Sequence, residues 1–339
     1  MVTDLKFGIT EGGVLHTDRD PPIDLDTRFR MVAEAGVFDY YDKTPESIDQ
    51  EAAYQAASEK YGLPIRAGGW FYTLGRDEDL LRQKLASSAR LGARVHNTQI
   101  RTEHASGRPV SNDEVTDIYL RAYEWGQRCG CMPSFEVHIN MWSEDFRRVE
   151  QVADQVERHG IPFHMTLDHS HVIFKIDNPA EQEIGDIRGD VESGALVLDP
   201  FKPDSICQRW IERGLVLHCH ARAAVPANPV NTWGQHPDGS VGRGVQYPFI
   251  EPAPGQYLAP WDERRLEPWK EVVRQLLHYH ATHEHSVLGQ ISTEFIPNPD
   301  YGAGHGYSIF ENSVACAHWL RETWANAQQA AKAEPATGA

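Results

Sequence analysis

The sequence of 339 residues predicts a (β/α)8 (TIM) barrel, and three observations carry that prediction. Eight short β-like runs alternate with helix-like stretches from one end of the chain to the other. No linker rich in Pro, Ser or charge divides the chain before its C-terminus, so one domain over residues 1–330 is expected. Polar and metal-ligating residue types gather at the ends of at least four different runs. An open doubly wound sheet, the main alternative, would gather its site around one switch point instead.

The strand-like runs are residues 5–10, 37–42, 65–71, 95–100, 132–138, 163–168, 215–220 and 290–296. Helices between them show in the 3.6-residue recurrence of apolar positions, as in Leu80, Leu81, Leu85 and Ala89, or Phe146, Val149, Val152, Ala153 and Val156. Gly36, Gly62, Gly92, Gly160 and Gly214 each close a helical pattern just ahead of a strand, where a left-handed cap favours glycine. After the seventh run, residues 223–266 are rich in Pro, Gly and Trp and too long for an ordinary connection, which predicts an insertion serving as a lid or subunit contact. Residues 331–339 read as a disordered tail.

Composition narrows the function. Thirty-two Lys and Arg face 49 Asp and Glu, a net charge of −17, which disfavours binding to nucleic-acid phosphates or an anionic membrane. No stretch approaches the roughly 20 apolar residues of a membrane span. The opening residues run into the first strand without the pattern of a secretory signal, so a cytoplasmic location is expected. The five cysteines lack C-x-x-C spacing and read as reduced, mostly buried thiols.

Histidine, 17 residues in all, is the unusual component. The fifth to eighth runs finish in Glu136-Val-His138, Asp168-His-Ser-His171, His218-Cys-His220 and Thr293-Glu294. Alternate strand residues share a face, so Glu136 pairs with His138, and His218 with His220, and each set can face the mouth of one barrel. Two Glu, one Asp and one His make a mainly oxygen donor set, suited to one divalent ion: Mn²⁺ first, with Mg²⁺, Co²⁺ and Zn²⁺ as alternatives. His96, Asn97 and Gln99 on the fourth run are candidates for orienting a substrate. Trp70, Trp142, Trp233 and Trp261 suit either core packing or stacking on a sugar or polyphenol. His278, His280, His283 and His285 match no zinc-protease spacing and read as a solvated helix face. The Gly-rich stretches 239–244 and 302–306 read as loops without a phosphate-binding pattern, the second placed where an active-site loop would follow the last strand.

From Leu5 to about Trp324 the pattern resembles the xylose-isomerase-like sugar isomerase and epimerase superfamily. The resemblance to its ketose 3-epimerases implies that Glu136, Asp168, His220 and Glu294 bind one divalent ion, His220 being the second of a His-x-His pair. It implies that Glu136 and Glu294 exchange the substrate proton and that His171, three residues after the aspartate, binds substrate; His218, on the same strand face as His220, is a further substrate-binding candidate. Two positions depart from the epimerase pattern: Trp142 stands where a further Glu is expected, and Pro226 where an Arg is expected. Both argue against a conventional free-ketose epimerase. The segment 136–142, the strand around His96, Asn97 and Gln99, and the long stretch after His220 are similar to the larger subunit of bacterial C-glycoside deglycosidases. That likeness implies a lyase acting on a 3-oxo C-glycoside, in which the ketone acidifies the neighbouring C–H and loss of that proton expels the aglycone. His138 would then be the base, or the acid that returns a proton, and Trp142 would contact substrate. It also implies a small β-rich second subunit docked through residues 223–266, within a larger oligomer. A metal-dependent isomerase or epimerase of a sugar or inositol derivative is the alternative. A metal-dependent phosphodiesterase and a non-catalytic sugar-binding subunit rank below these, given the charge and the complete ligand set.

Overall fold

The structure is a computed structural model that describes residues 4–333. Eight parallel strands close into a barrel: β1 (Lys6–Thr10), β2 (Tyr40–Asp42), β3 (Ile65–Tyr72), β4 (Val95–Ile100), β5 (Met132–Glu136), β6 (Met165–Leu167), β7 (Val216–Ala221) and β10 (Gln290–Thr293). Closure comes from the first strand, which pairs with β2 on one side and with β10 on the other, Phe7 against Ile291 and Gly8 against Ser292. The outer helices are α1 (Leu25–Ala35), α2 (Glu51–Tyr61), α3 (Glu78–Arg90), α4 (Asn112–Cys129), α5 (Arg147–Glu157), the short α6 (Ser170–Ile173), α7 (Pro179–Ile184), α8 (Arg188–Ser193) and α9 (Ile206–Glu212), then α10 (Glu267–Thr282) and α11 (Ile309–Ala333). Among the described residues no helix is long and apolar enough to cross a membrane.

The chain makes these elements for local reasons. Asp24 caps α1 by accepting from the Thr27 amide, and Ser111 with Glu114 forms a reciprocal capping box at α4. Val149, Val152, Ala153 and Val156 bury one face of α5 against the barrel, as their spacing predicts. Gly36, Gly62, Gly92, Gly160 and Gly214 all take positive φ at helix ends. One glycine is required inside the barrel: a Cβ at Gly8 would lie 2.3 Å from the Tyr40 ring, its in-register neighbour on β2. Without it Tyr40 could not cross the interior.

Several strands end sooner than expected. β5 stops at Glu136, β6 at Leu167 and β10 at Thr293, so His138, Asp168 and Glu294 stand just beyond the sheet, where the chain is free to turn them toward the mouth. Residues 331–333 continue α11 and are not part of a disordered tail; the remaining tail residues lie outside the described residues. The four histidines near residue 280 do not share a solvated face. His278, His283 and His285 are exposed, but His280 falls on the stripe of Val273, Leu276 and Leu277 and is buried 5.2 Å from the Trp324 ring.

The segment after β7 returns to the barrel mouth. It carries an antiparallel hairpin of β8 (Asn231–Gln235) and β9 (Val241–Gly242). The Asn231 amide lies 3.0–3.1 Å from the carbonyls of Pro299, Tyr301 and Ala303 in the loop after β10. Gly242 packs so closely there that a Cβ would meet the Pro299 carbonyl at 1.6 Å. The hairpin is therefore fastened over the loop that follows the last strand.

Candidate metal centre

Four strand ends converge. One donor atom each from Glu136, Asp168, His220 and Glu294 lies within 4.8 Å of the other three. His220 Nδ1 is 2.7 Å from Glu136 Oε1 and 3.1 Å from Glu294 Oε2. Glu136 is fully buried, and its Oε2 accepts hydrogen bonds from Asn97 Nδ2, at 2.8 Å, and from Gln99 Nε2. Asn97 and Gln99 alternate along β4 and so share its inward face. Asp168 is also fully buried; its Oδ1 accepts from the Ser170 hydroxyl and from the Ser170 amide.

A cation that the sequence reading overlooked completes the cluster. Arg222 extends the alternation His218-x-His220-x-Arg222 by one step and is fully buried. Its Nη2 lies 3.1 Å from Asp168 Oδ2 and donates to Glu294 Oε2, while Nε donates to the Glu294 carbonyl at 2.9 Å. Burial opposes ionisation of Asp168, yet Arg222 and His171 outweigh it and hold the carboxyl well below the usual range. Burial likewise disfavours charge on His220, but Glu294 and Glu136, helped by Asp42, raise its pKa well above the ordinary value.

The residues fit a divalent ion. Asp168 Oδ2 is buried without a hydrogen-bond partner, and the three carboxylates outnumber the one guanidinium and one imidazole among them. Three carboxylate oxygens and one imidazole nitrogen are a donor set for Mn²⁺, Mg²⁺, Zn²⁺ or Co²⁺.

Beside the cluster stands a histidine whose tautomer is fixed. A backbone carbonyl only accepts, so the contact between His138 Nδ1 and the Ile139 carbonyl puts the proton on Nδ1. Nε2 is then the acceptor, and the Tyr301 hydroxyl donates to it at 2.9 Å. Burial, aided by nearby His171, pushes the His138 pKa down to about 4, so the ring is neutral at pH 7. The His171 ring lies 4.2 Å from that of His138, with its Nε2 3.1 Å from Asp168 Oδ2. Tyr301 also lies beneath Arg222, whose guanidinium is 4.1 Å from the ring centre. The position of Tyr301, next to the Gly-rich stretch 302–306, was its only signal in the sequence.

A cavity of about 320 Å³ opens on the cluster from the side of the first four strands. His220, Glu294, Asn97, Gln99, Trp70 and Phe71 are among the residues that line it. The two aromatic rings stack at 12° with 5.5 Å between centres. Asp42 and Lys43, at the end of β2, also line this cavity and were not singled out from the sequence.

Three substrate-binding candidates lie elsewhere. His96 alternates with Asn97 and so faces outward, where it bonds the Tyr72 hydroxyl at 2.7 Å and the Ser88 hydroxyl at 3.0 Å. Trp142 is 1% exposed in the apolar core, with Arg148 near its ring, because the chain turns it inward after β5 ends. His218 is fully buried one pleat below His220 and contacts the Ser292 hydroxyl at 3.1 Å instead of the cavity. Trp233 sits partly exposed on the hairpin, and Trp261 donates to the Pro248 carbonyl at 2.9 Å.

No family model and no curated protein matches the sequence. Solved structures do match the fold. An L-ribulose 3-epimerase superposes with a TM-score of 0.56 at 11% identity, covering 99% of this chain and 100% of the other. The shared fold is the closed (β/α)8 barrel. A xylose isomerase-like TIM barrel protein from Mycobacterium smegmatis, in complex with magnesium, gives 0.54 at 11% identity over 97% of this chain and 100% of its own. The 3-keto-D-glucoside 4-epimerase of E. coli gives 0.52 at 13% identity over 94% and 100%. At these identities the likeness establishes the architecture.

Proposed function

We propose that the protein is a divalent-metal-dependent enzyme that moves a proton on the carbon next to a sugar carbonyl, an isomerase or epimerase of a keto or 3-oxo sugar. The observation that carries this reading is the convergence of Glu136, Asp168, His220 and Glu294 within 4.8 Å, two of which, His220 and Glu294, line a cavity with polar and aromatic residues in its wall. Names of fold neighbours, L-ribulose 3-epimerase and 3-keto-D-glucoside 4-epimerase, support it. Glu136, Asp168, His220 and Glu294 would hold the ion, Mn²⁺ being the first choice. An ion held there would supply Lewis-acid polarisation of the substrate carbonyl, which acidifies the neighbouring C–H.

The chain's own groups do the rest. Glu136 and Glu294, both within about 3 Å of His220 Nδ1, remove and return the proton. Asn97 and Gln99 fix the Glu136 carboxylate, so its free lone pairs keep one direction. Arg222 offsets the charge of Asp168 and Glu294, and the Trp70 and Phe71 wall takes the apolar C–H face of the sugar.

Elimination from a 3-oxo C-glycoside is a second reading, favoured by one feature. The neutral His138, bonded to Tyr301, is a separate acid–base pair that could return a proton to a leaving group. One experiment decides between the two. The purified chain with Mn²⁺ is incubated in D2O with free ketoses, a 3-oxo glucoside and a 3-oxo C-glucoside, and products are followed by mass spectrometry. Metal-dependent deuterium uptake with an epimer or isomer formed is the expected result. Release of free aglycone would establish the lyase instead, and no exchange on any substrate would refute both.

A further inference from the structure

Asp42 ends β2, on a strand that contributes nothing to the four-residue cluster, yet its carboxylate reaches the cluster from across the barrel. It is 5% exposed. The hydrogen bonds around it have a fixed direction. A carboxylate only accepts, so the Ser292 hydroxyl donates to Asp42 Oδ2, at 2.6 Å. Ser292 has spent its one hydrogen there and must accept from the Tyr40 hydroxyl at 2.7 Å and from His218 Nε2–H at 3.1 Å. Tyr40, Gly8, Ser292 and His220 are neighbours in register on β2, β1, β10 and β7, so their inward sides lie at one level of the barrel. The bare face of Gly8 is what lets Tyr40 cross to Ser292.

The carboxylate held this way is aimed at His220. Asp42 Oδ2 lies 3.6 Å from His220 Nε2, the nitrogen that is buried without a hydrogen-bond partner. The other nitrogen, Nδ1, faces Glu136 and Glu294. A neutral imidazole carries one proton, and a nitrogen that gives its lone pair to an ion cannot keep it. The proton must then sit on Nε2, where a small movement brings it onto Asp42 Oδ2. We propose that Asp42 is a positioning residue that holds His220 with its proton on Nε2 and so leaves Nδ1 free for the ion. The inference rests on the metal reading of the cluster. Asp42, His218 and His220 also satisfy the spacing of a second ion site. The number of ions bound per chain separates the two uses.

The test is ion binding by the full chain. Co²⁺ and Mn²⁺ are titrated into the wild type, Asp42→Ala and Asp42→Asn, with circular dichroism as a check on folding and the visible absorption of bound Co²⁺ as a report on its ligands. One ion per wild-type chain is expected, bound about 10–100-fold more weakly in Asp42→Ala with an altered Co²⁺ spectrum. Asp42→Asn should lose less, since its amide oxygen still accepts the Nε2 proton. Should Asp42→Ala fail to fold, Ser292→Ala leaves the carboxylate charged but unanchored and should weaken binding by a smaller factor. Unchanged affinity and spectrum in Asp42→Ala, with the wild type binding one ion, would overturn the role of Asp42 alone. Two ions in the wild type and one in Asp42→Ala would replace it with a second metal site, and no binding by the wild type would overturn the metal reading and this inference together.

Discussion

Two of the buried charge clusters among the described residues are built differently. In the first, Glu144 and Glu181 meet Lys175 and Arg243, two anions against two cations. Each partner is engaged: Lys175 Nζ donates to Glu144 Oε1 at 3.0 Å and to the Glu181 carbonyl at 2.8 Å, and Arg243 bonds both carboxylates. The Asn140 amide takes the remaining Glu144 oxygen at 2.6 Å. In the second, Glu136, Asp168 and Glu294 surround His220 with one guanidinium between them, and buried polar atoms are left without hydrogen bonds. A neutral, fully bonded cluster needs nothing more and serves as a fastening, here tying the segment that carries Arg243 to the loop after β5 and to α7. A cluster short of positive charge and of partners is prepared for a cation.

The largest effect expected from breaking this contrast is on chemistry. Glu294→Gln should lower metal-dependent α-proton exchange by about 10²–10⁴-fold while leaving the fold intact, as measured by deuterium uptake and circular dichroism. The next is on stability. Glu144→Ala leaves Lys175 and Arg243 buried beside one carboxylate and should cost about 3–5 kcal/mol in urea unfolding, with or without Mn²⁺. Arg222→Met should destabilise the ion-free protein to a similar degree, but added Mn²⁺ should restore it. If the ion restores neither variant, the two clusters are of one kind and the distinction fails.

A pH effect follows in the same order. Burial raises the Glu144 carboxyl, but Arg243 and Lys175 overcome this and bring its pKa from 4.5 down to about 2 in the folded state. A depressed carboxyl stabilises the fold above its unfolded pKa, and that stability drains away as pH falls from about 4.5 through about 2. A tenfold gain in acidity on folding corresponds to about 1.4 kcal/mol, so Glu144→Gln should flatten the acid limb of a plot of Tm against pH. The smallest effect is expected at His96. Because it faces away from the cavity, His96→Gln should leave KM unchanged and cost about 1–3 kcal/mol of stability through its lost hydrogen bonds.

Much of the site was legible because strand periodicity is a local property. Glu136, Asp168, His220 and Glu294 stand at the ends of runs whose apolar pattern and flanking glycines mark them as strands, and a barrel places its loops at that end. The same periodicity, applied strictly, would have separated outward His96 from inward Asn97 and Gln99, and would have extended the His218 and His220 face to Arg222. Trp142 was beyond such reasoning, since the residues after Glu136 leave the sheet and no period governs which way a turn points a side chain.

The sequence by itself determined the alternation of strands and helices, their caps, and four ligand types at four strand ends, all of which depend on neighbours a few residues apart. Only the tertiary structure decided that Asp42 faces His220, that Tyr301 bonds His138 and that Arg243 joins Glu144 to Glu181. Those partners are separated by tens to hundreds of residues, and closing the barrel is what sets them face to face. Their energies are electrostatic and directional, so distance and burial, which no local pattern contains, determine whether they act as a fastening or as a site.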